Sequence, residues 1–285
     1  GPGIRTTVFL KGCTLRCRWC CNPESQRFTP EVSHNSKRCL GALQCGACLA
    51  ACKHGAIRAE GNKILRDPAR CTQCGDCAAV CPAEAMQMIG KVMSAREVVE
   101  EISADFLFYG EEGGFTLSGG EPMAQPDFAA AICTEAHLHG LHAAAETCAA
   151  VPWENMRRVC AVLDHLLVDI KHLDPLRHKE GTGAGNDLIL DNIKRVAEVF
   201  PRLPLTIRCP VIPGFNDDLD SVLSIACFAG TFLPCAKLEL LPYHRLGKAK
   251  YENLGRAYAM PDIRPPAPEL MHSLRLAAGE FIEVL

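Results

Sequence analysis

Four cysteines fall within nine residues in the stretch LKGCTLRCRWCCNPES, Leu10 to Ser25. Cys13, Cys17 and Cys20 form a C-x3-C-x2-C triplet, and Cys21 follows directly. Thiolates at this spacing bind metal. A structural zinc ion takes four ligands, and the fourth is missing here unless Cys21 supplies it. Adjacent cysteines rarely serve one ion, because their side chains diverge. Three thiolates suit a 4Fe-4S cluster whose fourth iron stays open to chelate a substrate or cofactor, with zinc and chance clustering as the alternatives.

A second signal lies downstream. Cys71, Cys74, Cys77 and Cys81, followed by Pro82, make the bacterial ferredoxin run C-x2-C-x2-C-x3-C-P. An imperfect copy precedes it in Cys39, Cys45, Cys48 and Cys52, where the first gap is five residues. Two such runs imply a two-cluster insert in which the fourth cysteine of each run ligates the other cluster. That rule assigns Cys39, Cys45, Cys48 and Cys81 to one 4Fe-4S cluster and Cys71, Cys74, Cys77 and Cys52 to the other. A pair of zinc ribbons is the alternative, which the spacing and the Cys-Pro step disfavour. Cys133, Cys148, Cys160, Cys209, Cys227 and Cys235 receive no role, since free cysteine in an apolar run behaves as a small hydrophobe.

These residues need elements to hold them. The chain has 285 residues, near the size at which one core stops growing, so one large domain with a small insert is expected. Strands are predicted over 6–12, 114–121, 142–147, 165–171, 205–213 and 236–244. Helical periodicity fills 95–106, 126–140, 152–163, 186–200, 217–229 and 267–281. Alternation of this kind implies parallel strands with right-handed crossovers, an α/β sheet or barrel whose function gathers at strand C-termini. Polar or glycine-rich motifs do end the strands: SGGE, ET, DIK, RCPVIPG and PYH. The α/β domain is expected over 1–30 and 91–285, with the cysteine-rich module at 31–90.

Eighteen cysteines and ten histidines in a chain this long point to metal in a reducing compartment. The formal charge of −3 shows no basic stripe, which argues against nucleic acid as a partner. No run reaches the roughly 18 apolar residues of a membrane helix; SVLSIACFAGTFLPCA is broken by Gly230 and Pro234. The opening GPGIRTTVFLKG has no signal-peptide pattern. A cytoplasmic protein is expected.

The triplet after the first strand, with SGGEP after the next barrel strand, resembles the radical S-adenosylmethionine superfamily. More narrowly, GPGIRT, Trp19 within the triplet, the double ferredoxin insert, DIK, VIPGFND and LLPYHRLGK resemble the glycyl-radical-enzyme activating enzymes, in the three-cluster branch. The likeness runs from Gly1 almost to Leu285. It implies a partial (β/α)6 TIM-like barrel carrying a ferredoxin-like domain with two 4Fe-4S clusters. It also implies an anaerobic oxidoreductase that reductively cleaves S-adenosylmethionine to methionine and a 5′-deoxyadenosyl radical, then abstracts hydrogen from a backbone glycine of a partner enzyme. Relatives enter GPGIRT through an Asp and an earlier strand, so the sequence reads as beginning inside that segment.

The resemblance assigns roles residue by residue. Cys13, Cys17 and Cys20 hold the catalytic cluster, with Trp19 and Cys21 beside it. Gly119 and Gly120 let backbone approach the methionine moiety, and Glu121 accepts from its amino group. Lys171 suits the cofactor carboxylate and Asp169 a ribose hydroxyl or a cation, with Ile170 between them; a salt-bridged strand end is the plain alternative. Arg208 can grip a carboxylate, and His244 matches the adenosine-contacting histidine. A monovalent cation is expected near Glu146 and Asp169. The expected partners are a glycyl radical enzyme, through its glycine loop, and a low-potential donor such as flavodoxin or ferredoxin, with the activase itself a monomer. A radical enzyme acting on a small molecule shares the triplet and glycine motif. A plain iron-sulfur electron carrier leaves SGGE, DIK and LPYH unexplained.

Overall fold

The computed structural model describes residues 1–285. Ten strands form: β1 (Arg5–Leu10), β2 (Glu31–His34), β3 (Ile57–Glu60), β4 (Lys63–Arg66), β5 (Met86–Ile89), β6 (Gly114–Gly119), β7 (His142–Thr147), β8 (His165–Asp169), β9 (Leu205–Val211) and β10 (Lys237–Pro242). Six of them build one sheet in the order β1-β6-β7-β8-β9-β10, and every pairing is parallel. Strand order follows chain order, so each crossover lays its helix on the same outer face. β1 and β10 do not pair, which leaves the barrel open on one side. The chain end adds only an isolated bridge from Val284 to Leu238 on the β10 edge.

Local chemistry sets the helices. Ser94 and Glu97 close a capping box ahead of the helix Ala95–Ser103, whose Val98, Val99 and Ile102 are buried. Asp218 caps the helix Leu219–Phe232 through Ser221 N. In the helix Asp187–Val199, Ile189, Ile193 and Val196 are buried at the spacing of one helical face. These faces meet Leu117, Leu166 and Ile207 of the sheet in one apolar core.

Between β2 and β5 lies a separate module. β2 pairs antiparallel with β5, and β3 with β4, each strand four residues long. Two short helices, Ala47–Ala51 and Asp76–Ala79, complete it. Its core is only Val32, Cys48, Ile57, Ile64, Cys77 and Met86.

The predicted strands and long helices appear at their expected places, and among the elements not expected three bear on the site. One is the helix Pro175–Thr182, started by Pro175 after an Asp174 cap that accepts from Leu176 N and Arg177 N. The four short strands of the module are the second, and the helix Lys248–Leu254 is the third.

Candidate active site

At the C-terminal ends of the six strands lies a cavity of about 460 Å³, within the range of small-molecule and cofactor sites. Cys13, Cys17 and Cys20 line it, with Trp19 and Cys21 on the same loop. Gly119 and Gly120, Glu146, Asp169, Lys171, Arg208 and His244 face it from β6, β7, β8, β9 and the segment after β10. A larger hollow, about 790 Å³, sits outside the barrel beside β1, Phe28 and Val92, but it gathers no cysteines and few charges. Chemistry rather than size identifies the site.

The cluster loop is fixed by backbone. Arg16 N donates to Thr182 O at 2.7 Å and Arg18 N to Gly181 O at 2.9 Å, so the unexpected helix Pro175–Thr182 is what the triplet leans on. Trp19 packs against Phe215 with ring centroids 4.7 Å apart. Phe215 belongs to VIPGFND, whose buried Asn216 accepts from Ile212 N and donates to the carbonyls of Lys171 and Pro210. That motif therefore ties the triplet loop to the end of β8.

Gly119 and Gly120 line the cavity, but their lack of a side chain answers to the protein itself. A Cβ on Gly120 would stand 2.1 Å from Gly12 O and 2.6 Å from Ser25 O. At Gly119, φ is +100° and a Cβ would meet the Leu10 backbone at 2.6 Å. Both glycines let the cluster loop lie on the end of β6.

Glu121 departs from expectation. Its carboxylate is wholly buried behind the cavity wall and accepts from Met123 N, Thr147 Oγ1, Cys148 N and Cys148 Sγ, at 2.7 to 2.9 Å. Burial pushes its pKa up, against the hydrogen bonds that favour the charge. Through these contacts it joins the ends of β6 and β7. Ile170 likewise turns its side chain into the barrel core.

Cys148, given no role from sequence, lines the cavity and is the residue missed there. Its thiol donates to Glu121 at 2.9 Å, and its place beside Cys13 favours the Cys13 thiolate, lowering that thiol's pKa. The only sequence cue was its place just past the end of β7. Cys17 is pushed up to about 12 by burial, so metal binding there must release a proton.

Three ion pairs, made by two basic side chains, arrange the rest of the wall. Lys171 Nζ lies 2.7 Å from Asp169 Oδ2 and is nearly inaccessible to solvent. Burial opposes its charge, but the Asp169 carboxylate holds it above the ordinary lysine pKa. Arg208 bridges Glu146 at 2.6 Å and Glu239 at 2.8 Å, and Ser118 Oγ donates to Glu146 as well. The fork expected to grip a ligand thus holds two strand-end carboxylates. His244 sits 3.8 Å from the Cys21 sulfur at the rim.

The module's eight thiols fall into two sets. Cys39, Cys45, Cys48 and Cys81 line one small cavity with Ile64, Pro82 and Met86. Cys52, Cys71, Cys74 and Cys77 line another with Val32, Ala56 and Ile57. In each set one cysteine comes from the other run, the grouping that crossed ferredoxin ligation requires. Apolar walls and grouped thiols fit an iron-sulfur cluster in both.

The family model for the Radical SAM superfamily matches residues 7–224. The chain is 47% identical over 93% of its length, and 87% of the relative's, to the (2S)-3-sulfopropanediol sulfolyase activating enzyme of Bilophila wadsworthia. It is 46% identical over 92% of its length, and 85% of the relative's, to the isethionate sulfite-lyase activating enzyme of Desulfovibrio desulfuricans. The trans-4-hydroxy-L-proline dehydratase activating enzyme of Clostridioides difficile is 41% identical over 96% of this chain and 90% of the relative. Among solved structures, a domain of pyruvate-formate lyase-activating enzyme from Bacteroides vulgatus matches 61% of this chain and 98% of its own, with TM-score 0.51 and 28% identity.

Proposed function

The chain belongs to the radical S-adenosylmethionine superfamily, among the activating enzymes of glycyl radical enzymes, and from that premise we propose how its residues divide the work. Cys13, Cys17 and Cys20 hold a 4Fe-4S cluster that binds S-adenosylmethionine. When bound, cluster and cofactor supply the reductive C–S cleavage that gives methionine and the 5′-deoxyadenosyl radical, which takes hydrogen from a backbone glycine of the partner. The observation that carries this reading is the convergence of the triplet, two strand-end glycines, Asp169, Lys171 and His244 on one cavity.

Lys171 presents a buried positive charge to the cofactor carboxylate, and Asp169 fixes its ammonium while remaining open to a ribose hydroxyl. Trp19 and His244 bound the adenosine side. Glu121 shapes the wall from behind. Glu146 and Asp169 each carry a protein cation already, so their charge is assigned to Arg208 and Lys171 rather than to a monovalent ion. The partner's glycine loop would approach from the strand C-terminal end, where the cavity lies.

The module at 31–90 is a ferredoxin-like domain with two 4Fe-4S clusters that relays electrons from a low-potential donor, flavodoxin or ferredoxin, in the cytoplasm. Its support is the crossed grouping of the eight thiols. The first partners to try are glycyl radical enzymes that cleave C–S bonds of small sulfonates, as the sulfolyase and sulfite-lyase do whose activating enzymes share 47% and 46% identity with this chain.

Anaerobic protein reconstituted with iron and sulfide, given dithionite and S-adenosylmethionine, should release 5′-deoxyadenosine and methionine in equal amounts. No 5′-deoxyadenosine from protein with a full iron content would overturn the assignment.

A further inference from the structure

The four strands of the module place its two cysteine quartets in order along the ladders that run out from the barrel. β2 leaves the barrel at Glu31 and β5 returns to it at Ile89, and these two residues pair in register. Next along that ladder, Val32 pairs with Met88; further out, His34 pairs with Met86. Val32 lines the cavity of Cys52, Cys71, Cys74 and Cys77, whereas Met86 lines that of Cys39, Cys45, Cys48 and Cys81. The second hairpin repeats the pattern. Ile57 pairs with Arg66, whose guanidinium donates to Leu254 O of the barrel domain at 2.6 Å, and Ile57 lines the first of these cavities. Ile64, two residues nearer the hairpin tip, lines the other.

We infer that Cys52, Cys71, Cys74 and Cys77 form the inner station of an electron path and Cys39, Cys45, Cys48 and Cys81 the outer one. The inference rests on the reading of both quartets as 4Fe-4S clusters. One electron leaves a reduced low-potential protein donor, arrives at the outer quartet beside exposed Cys45, passes to the inner quartet, and then reaches the triplet; no bond or proton moves before C–S cleavage.

The span between inner quartet and triplet is short in residues and built of ordered contacts. Val32 N donates to Gln73 Oε1, inside the Cys71–Cys74 loop, at 2.6 Å. Glu31, adjacent to Val32 and buried, pairs with Lys11 at 3.2 Å, two residues before Cys13. Arg256 joins the same carboxylate at 2.5 Å and donates to Pro23 O just past the triplet. Tyr251, on the helix Lys248–Leu254, is buried here. No comparable contact joins the outer quartet to the barrel.

The test compares Cys71→Ala with Cys45→Ala, each reconstituted and fully reduced with S-adenosylmethionine bound. Magnetic coupling between reduced clusters falls steeply with distance, so electron paramagnetic resonance reads the order directly. The site-cluster signal should lose its spin-coupling broadening in Cys71→Ala and keep it in Cys45→Ala. The reverse pattern overturns the order. Reduction of the site cluster by reduced flavodoxin should be lost in both variants; a parental rate in Cys45→Ala would mean that the donor reads exposed Cys74 directly, and the outer station would be withdrawn. Should either protein fail to fold, the crossing cysteines Cys52→Ala and Cys81→Ala repeat the comparison. If the parent protein carries iron for one cluster only, the underlying cluster reading fails, and that result is distinct from a wrong order.

Discussion

The barrel and the module at 31–90 are held together by different means. The barrel rests on a continuous apolar core that runs from Leu10 to Ala278, and its triplet sits on a loop above that core. The module's core includes two of its own proposed ligands, Cys48 and Cys77, among only six buried residues. So small a core rarely stabilises a fold alone, and metal binding then becomes folding energy. On the proposed cluster assignment, one region carries its metal site as a passenger on a finished fold, and the other is built around its metal.

The largest effect expected from this contrast is in chemistry. Cys17→Ala should abolish S-adenosylmethionine cleavage while leaving the module's iron in place, a loss of about four iron atoms per chain in the iron assay. Persistent cleavage would move the site elsewhere. Next comes iron removal. Iron-free protein should be cut by a protease within residues 31–90 while the barrel survives, and equal survival of both regions would erase the contrast.

A smaller effect belongs to the barrel wall. Lys171→Ala should weaken S-adenosylmethionine binding about 10- to 100-fold, the scale of one charge-assisted hydrogen bond, measured by calorimetry on reconstituted protein. Smallest is the joint between the regions. Glu31→Gln should lower stability by roughly 1–3 kcal/mol, less than a fully buried pair would give because Arg256 is partly exposed. The same variant should slow donor-driven turnover and leave dithionite-driven turnover unchanged; equal slowing of both would show that Glu31 matters only to folding.

Much of the fold was legible because long amphipathic segments carry their own period. The helix Pro175–Thr182 was not, since its buried residues are His178, Gly181 and Thr182 and no apolar stripe marks it. Strands of four residues, such as Glu31–His34, are too short to show alternation. At the site, cysteine spacing and strand-end position found the lining residues. Which groups pair across strands was hidden, because Arg208 meets Glu146 and Glu239 only through the sheet register. For the same reason the partners of Glu121 in the wall, Thr147 and Cys148 one strand away, were hidden. Spacing along the chain reveals which residues reach the cavity, and the neighbouring strand decides what each one does there.

The most direct test of the account adds a sulfonate-cleaving glycyl radical enzyme to the reconstituted, reduced protein with S-adenosylmethionine under anaerobic conditions. Electron paramagnetic resonance should show a glycyl doublet growing in step with 5′-deoxyadenosine, and neither should form with Cys17→Ala. Formation of 5′-deoxyadenosine with a radical on no glycyl radical enzyme, and with hydrogen taken instead from a small molecule, would contradict it.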